Sequence, residues 1–255
     1  AQRQGAKRFV IYDPVIDTVR HERLQIANDL RDALRDDKLA LVYQPIFAAD
    51  SRNVVGVEAL LRWNRPLFGL VMPEAFIPVA EEAGLIDELG RWVLRRACTD
   101  ARQWPGVRLT VNVSPVQLLN PELGKQFNDI LSDTGFPARR LEIDIIESGS
   151  LIGPDQAHRT MEAFRSQEVS IALDDFGTGY SSIAYLRSFA FTKIKIDQSM
   201  TAGIAWNQRV RDLVEATVSL ARALDLTATA EGVDGAVEAN ILTDIGCGEL
   251  QGNYL

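Results

Sequence analysis

The feature that most constrains this chain is a hydrophobic period that changes back and forth along its length. Short β-rich runs give way, again and again, to stretches whose apolar residues fall three and four apart. The strand-like runs are Leu39–Phe47, Val54–Leu60, Val107–Val113, Arg140–Ile145, Ser170–Asp174, Thr192–Ile196 and Leu226–Ala230, with a short eighth near Gly248–Gln251. Helical spacing covers His21–Arg35, where Leu24, Ala27, Leu30 and Leu34 form one stripe. It also covers a segment from Pro73 towards Ala83, then Asp87–Gln103, Pro121–Ser132, Asp155–Ser166, Ser181–Ser188 and Gln208–Leu224. Pro73 suits a first helical turn, and Val210, Leu213, Val214 and Val218 mark the buried face expected of the last helix. Strand then helix, repeated about eight times in a chain of domain size, predicts an α/β fold closed into a TIM-like (β/α)8 barrel. An open doubly wound sheet is the alternative, because periodicity does not report closure.

Composition narrows the chemistry. The net charge of −8 disfavours any role that grips a nucleic-acid polymer by its phosphates, which calls for a basic face. An acidic chain can still handle phosphates if its carboxylates hold cations. The two cysteines, Cys98 and Cys247, form neither a disulfide framework nor a CxxC pair, and read as small core residues in a reducing compartment. His21 and His158 lie in polar stretches that look like exposed helix, leaving little material for a histidine zinc site or a Ser-His-Asp triad. No apolar run approaches the roughly 20 residues needed to cross a bilayer. A cytoplasmic location is expected, with any membrane anchor belonging to a longer parent protein.

The polar residues that stand out lie towards the C-terminal ends of the expected strands: Gln44, Glu58, Asn112, Asp144, Asp174 with Asp175, Lys195, Glu231 and Gln251. In an α/β barrel those ends form the face on which active sites are built. Each admits an ordinary explanation. Glu58 alone reads as a paired strand-end charge, Asp174-Asp175 before Phe176-Gly177-Thr178-Gly179 as turn chemistry, and Lys195 as part of a solvated strand face. Alternation, however, puts Lys193 and Lys195 on one side of their strand and Ile194 and Ile196 on the other. Taken together, the carboxylates would repel one another unless cations hold them. Hard oxygen donors without His or Cys select magnesium, manganese or calcium over zinc. Carboxylates grouped around an Asp pair, with a lysine nearby, suit a two-metal phosphoryl-transfer site. No Gly-Lys-Ser/Thr follows the Gly177–Gly179 turn, so it is not a P-loop. Metal-assisted hydrolysis of a phosphodiester is the reading the residues give, with the substrate open.

At these positions the chain resembles the EAL family of c-di-GMP phosphodiesterases, from Leu30 to Leu255. The eponymous motif is Glu58-Ala59-Leu60-Leu61-Arg62-Trp63, preceded by Tyr43-Gln44-Pro45-Ile46. Val111-Asn112-Val113-Ser114, Asp174-Asp175-Phe176-Gly177-Thr178-Gly179, Lys195-Ile196-Asp197, Ala230-Glu231-Gly232-Val233 and Gln251-Gly252 follow in order. The resemblance implies a barrel of the EAL type, two Mg²⁺ or Mn²⁺ ions, and opening of c-di-GMP to linear pGpG. It makes Glu58, Asn112, Asp144, Asp174 and Asp175 metal ligands, and gives Lys195 the attacking water. Glu231 becomes a ligand or base, Gln44 and Gln251 position water or substrate, and Arg62 contacts a substrate phosphate. Glu147 matches the glutamate that steadies the loop beginning at Asp174, a loop associated with dimerisation, so a homodimer is expected.

Departures from the family pattern touch the site once, at Asp144-Ile145-Ile146-Glu147-Ser148, where Glu-Ile-Thr-Glu-Ser is usual. Outside it, Arg65 replaces a usual His. Lys7-Arg8-Phe9-Val10-Ile11-Tyr12-Asp13 resembles the end of a diguanylate cyclase (GGDEF) domain. Residues 1–22 are therefore read as a linker from a preceding GGDEF or sensory domain, and 23–255 as the EAL domain. Some family members bind c-di-GMP without cleaving it, usually having lost the motif glutamate, the Asp pair or the lysine. All three persist here, so an enzyme is expected and a receptor module is the alternative.

Overall fold

A computed structural model of the chain describes residues 14–146, 154–179 and 183–255, with the side chains of 14–19 and 183–185 excepted. The strands are β1 (Leu39–Ala48), β2 (Val54–Arg65), β3 (Gly69–Val71), β4 (Arg108–Val113), β5 (Leu141–Ile146), β6 (Ser170–Phe176), β7 (Lys193–Ile196), β8 (Thr227–Ala230) and β9 (Glu249–Leu250). The helices are α1 (Pro14–Arg35), α2 (Pro73–Glu82), α3 (Ile86–Ala101), α4 (Leu123–Thr134), α5 (Pro154–Ser166), α6 (Ile183–Ser188), α7 (Gln198–Thr201), α8 (Gln208–Ala223) and α9 (Ala236–Ile245). From β2 through β4 to β9 each strand pairs in parallel with the next. β1 then joins β9 to β2 and closes a barrel of eight strands, with β3 as an outlying hairpin partner of β2. The open sheet is excluded.

One strand is reversed. β1 runs antiparallel to both neighbours, joined to β2 by residues 49–53 with no helix between. Five residues suffice for a hairpin but not for a parallel crossover. The strand–helix alternation therefore starts at β2.

The barrel interior is polar. Thr110, Glu142, Asp144, Lys193, Lys195, Thr229, Glu249 and Gln251 are all buried. Lys193 of β7 reaches Glu142 of β5 and Glu249 of β9, strands that meet only across the interior. The apolar side of each strand points outward instead. Leu109, Val111, Ile143, Ile145, Ile171, Leu173, Ile194 and Ile196 pack with residues of α3, α4, α5 and α8 in the main core. The solvated-face reading of Lys193 and Lys195 is thereby overturned, since the polar side of β7 faces the barrel interior.

A second core joins α1 to the barrel through Ile26, Leu30 and Leu34 against Trp63 of β2 and Phe76 of α2. α1 begins at Pro14 and runs unbroken through residues 22 and 23. Two stripe positions are corrected: Leu24 of α1 and Leu213 of α8 are more than half exposed. Buried Val214 and Val218 set the inner face of α8, and Leu213 lies about 100° around the helix from Val214. Cys98 and Cys247 are buried and free, as expected.

Candidate metal centre

Carboxylates from β2, β5 and β6, and one just past the end of β8, converge on Lys195 of β7. Its Nζ lies 2.7 Å from Glu231, 2.8 Å from Asp144, and 3.2 Å from both Glu58 and Asp174. Register explains the convergence: Glu58 sits beside Thr110, Asn112 beside Asp144, and Ile146 beside Asp174. Asn112 donates to Glu58 at 2.7 Å. Gln251 donates to Glu58 at 2.8 Å and to Gln44 at 3.1 Å, and Gln44 pairs with Glu58 across the reversed strand.

The Asp pair needs a local device. In a regular strand Asp174 and Asp175 would point to opposite faces. The β6–β7 register shifts between Leu173 and Phe176, and Asp175 takes a φ of 55°, a left-handed conformation that Asp tolerates. The kink keeps both carboxylates on the site. Oxygens of Asp174, Asp175 and Glu231 lie within 4.8 Å of one another, as do oxygens of Glu58, Asp144 and Asp174. Asp174 belongs to both groups.

One ammonium has three protons to give, and it faces four carboxylates. With Asp175, five carboxylates stand against one cation, a formal excess of four negative charges that the metal-free site relieves by holding protons. The electrostatics follow. Burial pushes Asp144 well above the usual carboxylate range; Lys195 opposes this and Asp174 and Glu58 reinforce it. Glu231 is pushed up to about 7 by burial, against the pull of Lys195. Asp175 rises to about 6 through burial and its neighbour Asp174. Glu58 is held low despite its burial, by Lys195 and by hydrogen bonds from Gln251 and Asn112. Burial would lower the Lys195 value, but its carboxylates outweigh that and keep it charged. Asp144 Oδ1 is buried without a hydrogen-bond partner, and Asp174 Oδ1, also buried, has only its ion pair with Lys195. An unsatisfied buried carboxylate oxygen among clustered carboxylates fits hard divalent cations.

Two hollows meet here. A polar cleft of about 290 Å³ opens over Asp174, Lys195, Glu231 and Gln251, with Asp197 and Asn253 on its rim. A largely apolar pocket of about 400 Å³ adjoins it at Glu58 and takes in Asn112. Arg62 lines this second pocket, apart from the Lys195 cluster. Glu147 lies outside the described residues.

The EAL domain family model matches residues 27–255. The chain belongs to the EAL domain family. This EAL domain is 39% identical to the cyclic di-GMP phosphodiesterase NbdA of Pseudomonas aeruginosa, over 91% of its own length and 30% of that protein. It is 35% identical to the bifunctional diguanylate cyclase/cyclic di-GMP phosphodiesterase MucR of the same organism, over 100% of its length and 38% of the relative. A solved structure described as the PaMucR phosphodiesterase in complex with c-di-GMP superposes with a TM-score of 0.84 at 36% identity, covering 91% of this chain and 96% of that one. The chain spans about a third of the length of the curated relatives it matches.

Sequence reasoning did not single out the charged layer beneath the EAL site. Arg108, Glu142 and Glu249, with Lys193, form a closed set of ion pairs inside the barrel. The available signal was a polar residue two positions before Asn112, Asp144, Lys195, Glu231 and Gln251, a spacing that in a strand places both on the same face.

Proposed function

We propose that this chain is a metal-dependent phosphodiesterase that hydrolyses c-di-GMP to linear 5′-pGpG. The observation that carries the reading is the pair of acidic groups sharing Asp174, five carboxylates gathered around the single cation of Lys195. Glu58, Asn112, Asp144 and Asp174 would hold one divalent ion, and Asp174, Asp175 and Glu231 a second, Mg²⁺ or Mn²⁺ by the all-oxygen donor set. When bound, such ions neutralise charge on the attacked phosphate and lower the pKa of a bound water.

The remaining work falls to side chains. Lys195, kept charged by its carboxylates, holds and orients the attacking water and supplies a cation where negative charge develops. Glu231 stands at the open edge of the cluster with its side chain 19% exposed, suited to take a proton from that water. Gln251 and Gln44 place water or substrate beside Glu58, and Arg62 receives a phosphate from the adjoining pocket. Glu147 would steady the loop after Asp174. The relatives named as c-di-GMP phosphodiesterases support the choice of substrate.

The wider setting is part of the same proposal. An N-terminal GGDEF or sensory domain in a longer parent suits the name of MucR and the share of its length this chain covers, while a homodimer and a cytoplasmic location are carried over from the sequence reading alone. Among the described residues no helix is long and apolar enough to cross a membrane.

Catalysis and binding separate by substitution. Lys195→Ala is expected to lower turnover by a factor of about 10² or more while c-di-GMP still binds. Glu58→Ala is expected to abolish turnover in a folded protein. Turnover assays with calorimetric binding decide: near-normal rates in either variant mean the groups are misassigned. Wild type that binds c-di-GMP but yields no pGpG is a receptor.

A further inference from the structure

The charged layer beneath the site mirrors it strand by strand. Lys193 Nζ lies 2.8 Å from Glu142 and 2.6 Å from Glu249. Arg108 bridges the same two carboxylates at 3.3 and 2.7 Å. Thr110 donates to Glu142 at 3.2 Å, and Thr229 to Glu249 at 3.1 Å. Two positive and two negative charges balance, so this layer needs no added cation, unlike the one above it. Each member except Arg108 stands two residues before a member of the upper site: Thr110 before Asn112, Glu142 before Asp144, Lys193 before Lys195, Thr229 before Glu231, and Glu249 before Gln251.

We infer that the Lys193–Glu142–Glu249–Arg108 layer is a positioning device that sets the heights of β4, β5, β7, β8 and β9, and with them the spacing of the metal-holding groups. The inference rests on the two-metal reading proposed above. A strand residue and its neighbour two positions on share a face and rise about 7 Å apart. A slip of any of these strands along the barrel would therefore break an ion pair or hydrogen bond below and misplace a site residue above. Mg²⁺ tolerates little misplacement, since it demands near-ideal octahedral geometry. Lys193 acts through Lys195 and Asp144, and touches no reacting atom.

The test is a charge-balanced pair of substitutions, Lys193→Met with Glu142→Gln, which leaves Arg108–Glu249 intact and the layer neutral. Mn²⁺ binding to the metal-free protein is measured by calorimetry, with the fold checked by circular dichroism at the same temperature. The expected result is a dissociation constant raised by about tenfold or more, in the range seen when groups behind metal ligands are removed. Turnover should fall with the KM for c-di-GMP nearly unchanged, because Arg62 and Gln44 lie off this layer. Lys193→Met alone adds a sign test. Deleting a cation near the site should tighten Mn²⁺ binding if the layer acts only through its charge, and weaken it if it positions ligands. Should the paired variant fail to fold, Arg108→Met with Glu249→Gln, which keeps Lys193–Glu142 and leaves the layer neutral, is held to the same criterion. A folded variant that binds Mn²⁺ as wild type does overturns the inference. Wild type that binds no Mn²⁺ overturns the two-metal reading itself.

Discussion

Asp144 is wholly buried, with one oxygen 2.8 Å from Lys195 and the other without a hydrogen-bond partner. A glutamate would carry that carboxylate about 1.3 Å farther into the site, one C–C bond projected along the chain. Asp144→Glu is therefore expected to lower the Mg²⁺ concentration needed for half-maximal hydrolysis, with c-di-GMP affinity nearly unchanged. Metal titration of both proteins checks this, and an equal or greater requirement in the variant means the short carboxylate is already well fitted. Protons compete for the same oxygens. In the metal-free site Glu231 holds a proton below about pH 7 and Asp175 below about pH 6. A divalent ion must displace them, so apparent metal affinity should climb as pH rises through 6 to 7 and level off above. The sign for stability is opposite. A folded-state value raised above the ordinary 4.5 favours the protonated fold, so without metal Glu231 contributes stability that is lost as pH rises towards 7. Calorimetry at pH 6 in buffers of different protonation enthalpy should register proton release on Mn²⁺ addition, and no buffer dependence would count against it.

At the scale of elements, the end of β6 carries the greatest local demand. Asp175 at φ 55° is followed by Gly177 at φ 103°, where an added Cβ would lie 1.7 Å from Met200 Sδ. Gly177→Ala should cost about 1–3 kcal/mol from the backbone alone, and more from the clash. Urea unfolding would register the loss, and weaker Mn²⁺ binding would accompany it if the kink sets the Asp pair. Elsewhere an element explains a departure noted in the sequence. Arg65, where His is usual, meets Asp29 of α1 at 2.7 Å and stacks on Phe68 at 4.0 Å, fastening α1 to β2. Pairing partners of this kind are not legible in one chain, because Asp29 and Arg65 are far apart in sequence and neither lies in a motif.

Across the whole molecule, the barrel was legible because strands buried on both sides and one-sided helices differ in period. Strand direction has no such signature, and the reversal of β1 went unread, although the five-residue gap after Ala48 is too short for a parallel crossover. α9 was missed because its apolar pattern is weak, with Ala239 and Leu242 its buried residues. The site residues were visible as polar interruptions at strand ends. Their gathering around a single lysine depends on the register of β5, β6 and β7, which no local pattern encodes. The lower ion-pair layer escaped for a related reason: Glu142 and Glu249 look like the solvent side of a half-buried strand until the barrel closes over them.

The central claim is that this acidic cluster, loaded with metal, opens c-di-GMP. The most direct measurement is incubation of the purified chain with c-di-GMP in Mg²⁺, in Mn²⁺ and in excess EDTA, with the products resolved by chromatography. Linear pGpG should accumulate with either metal, cease in EDTA and return when metal is restored. Full activity in excess chelator, or no product with either metal despite measurable c-di-GMP binding, would contradict the account.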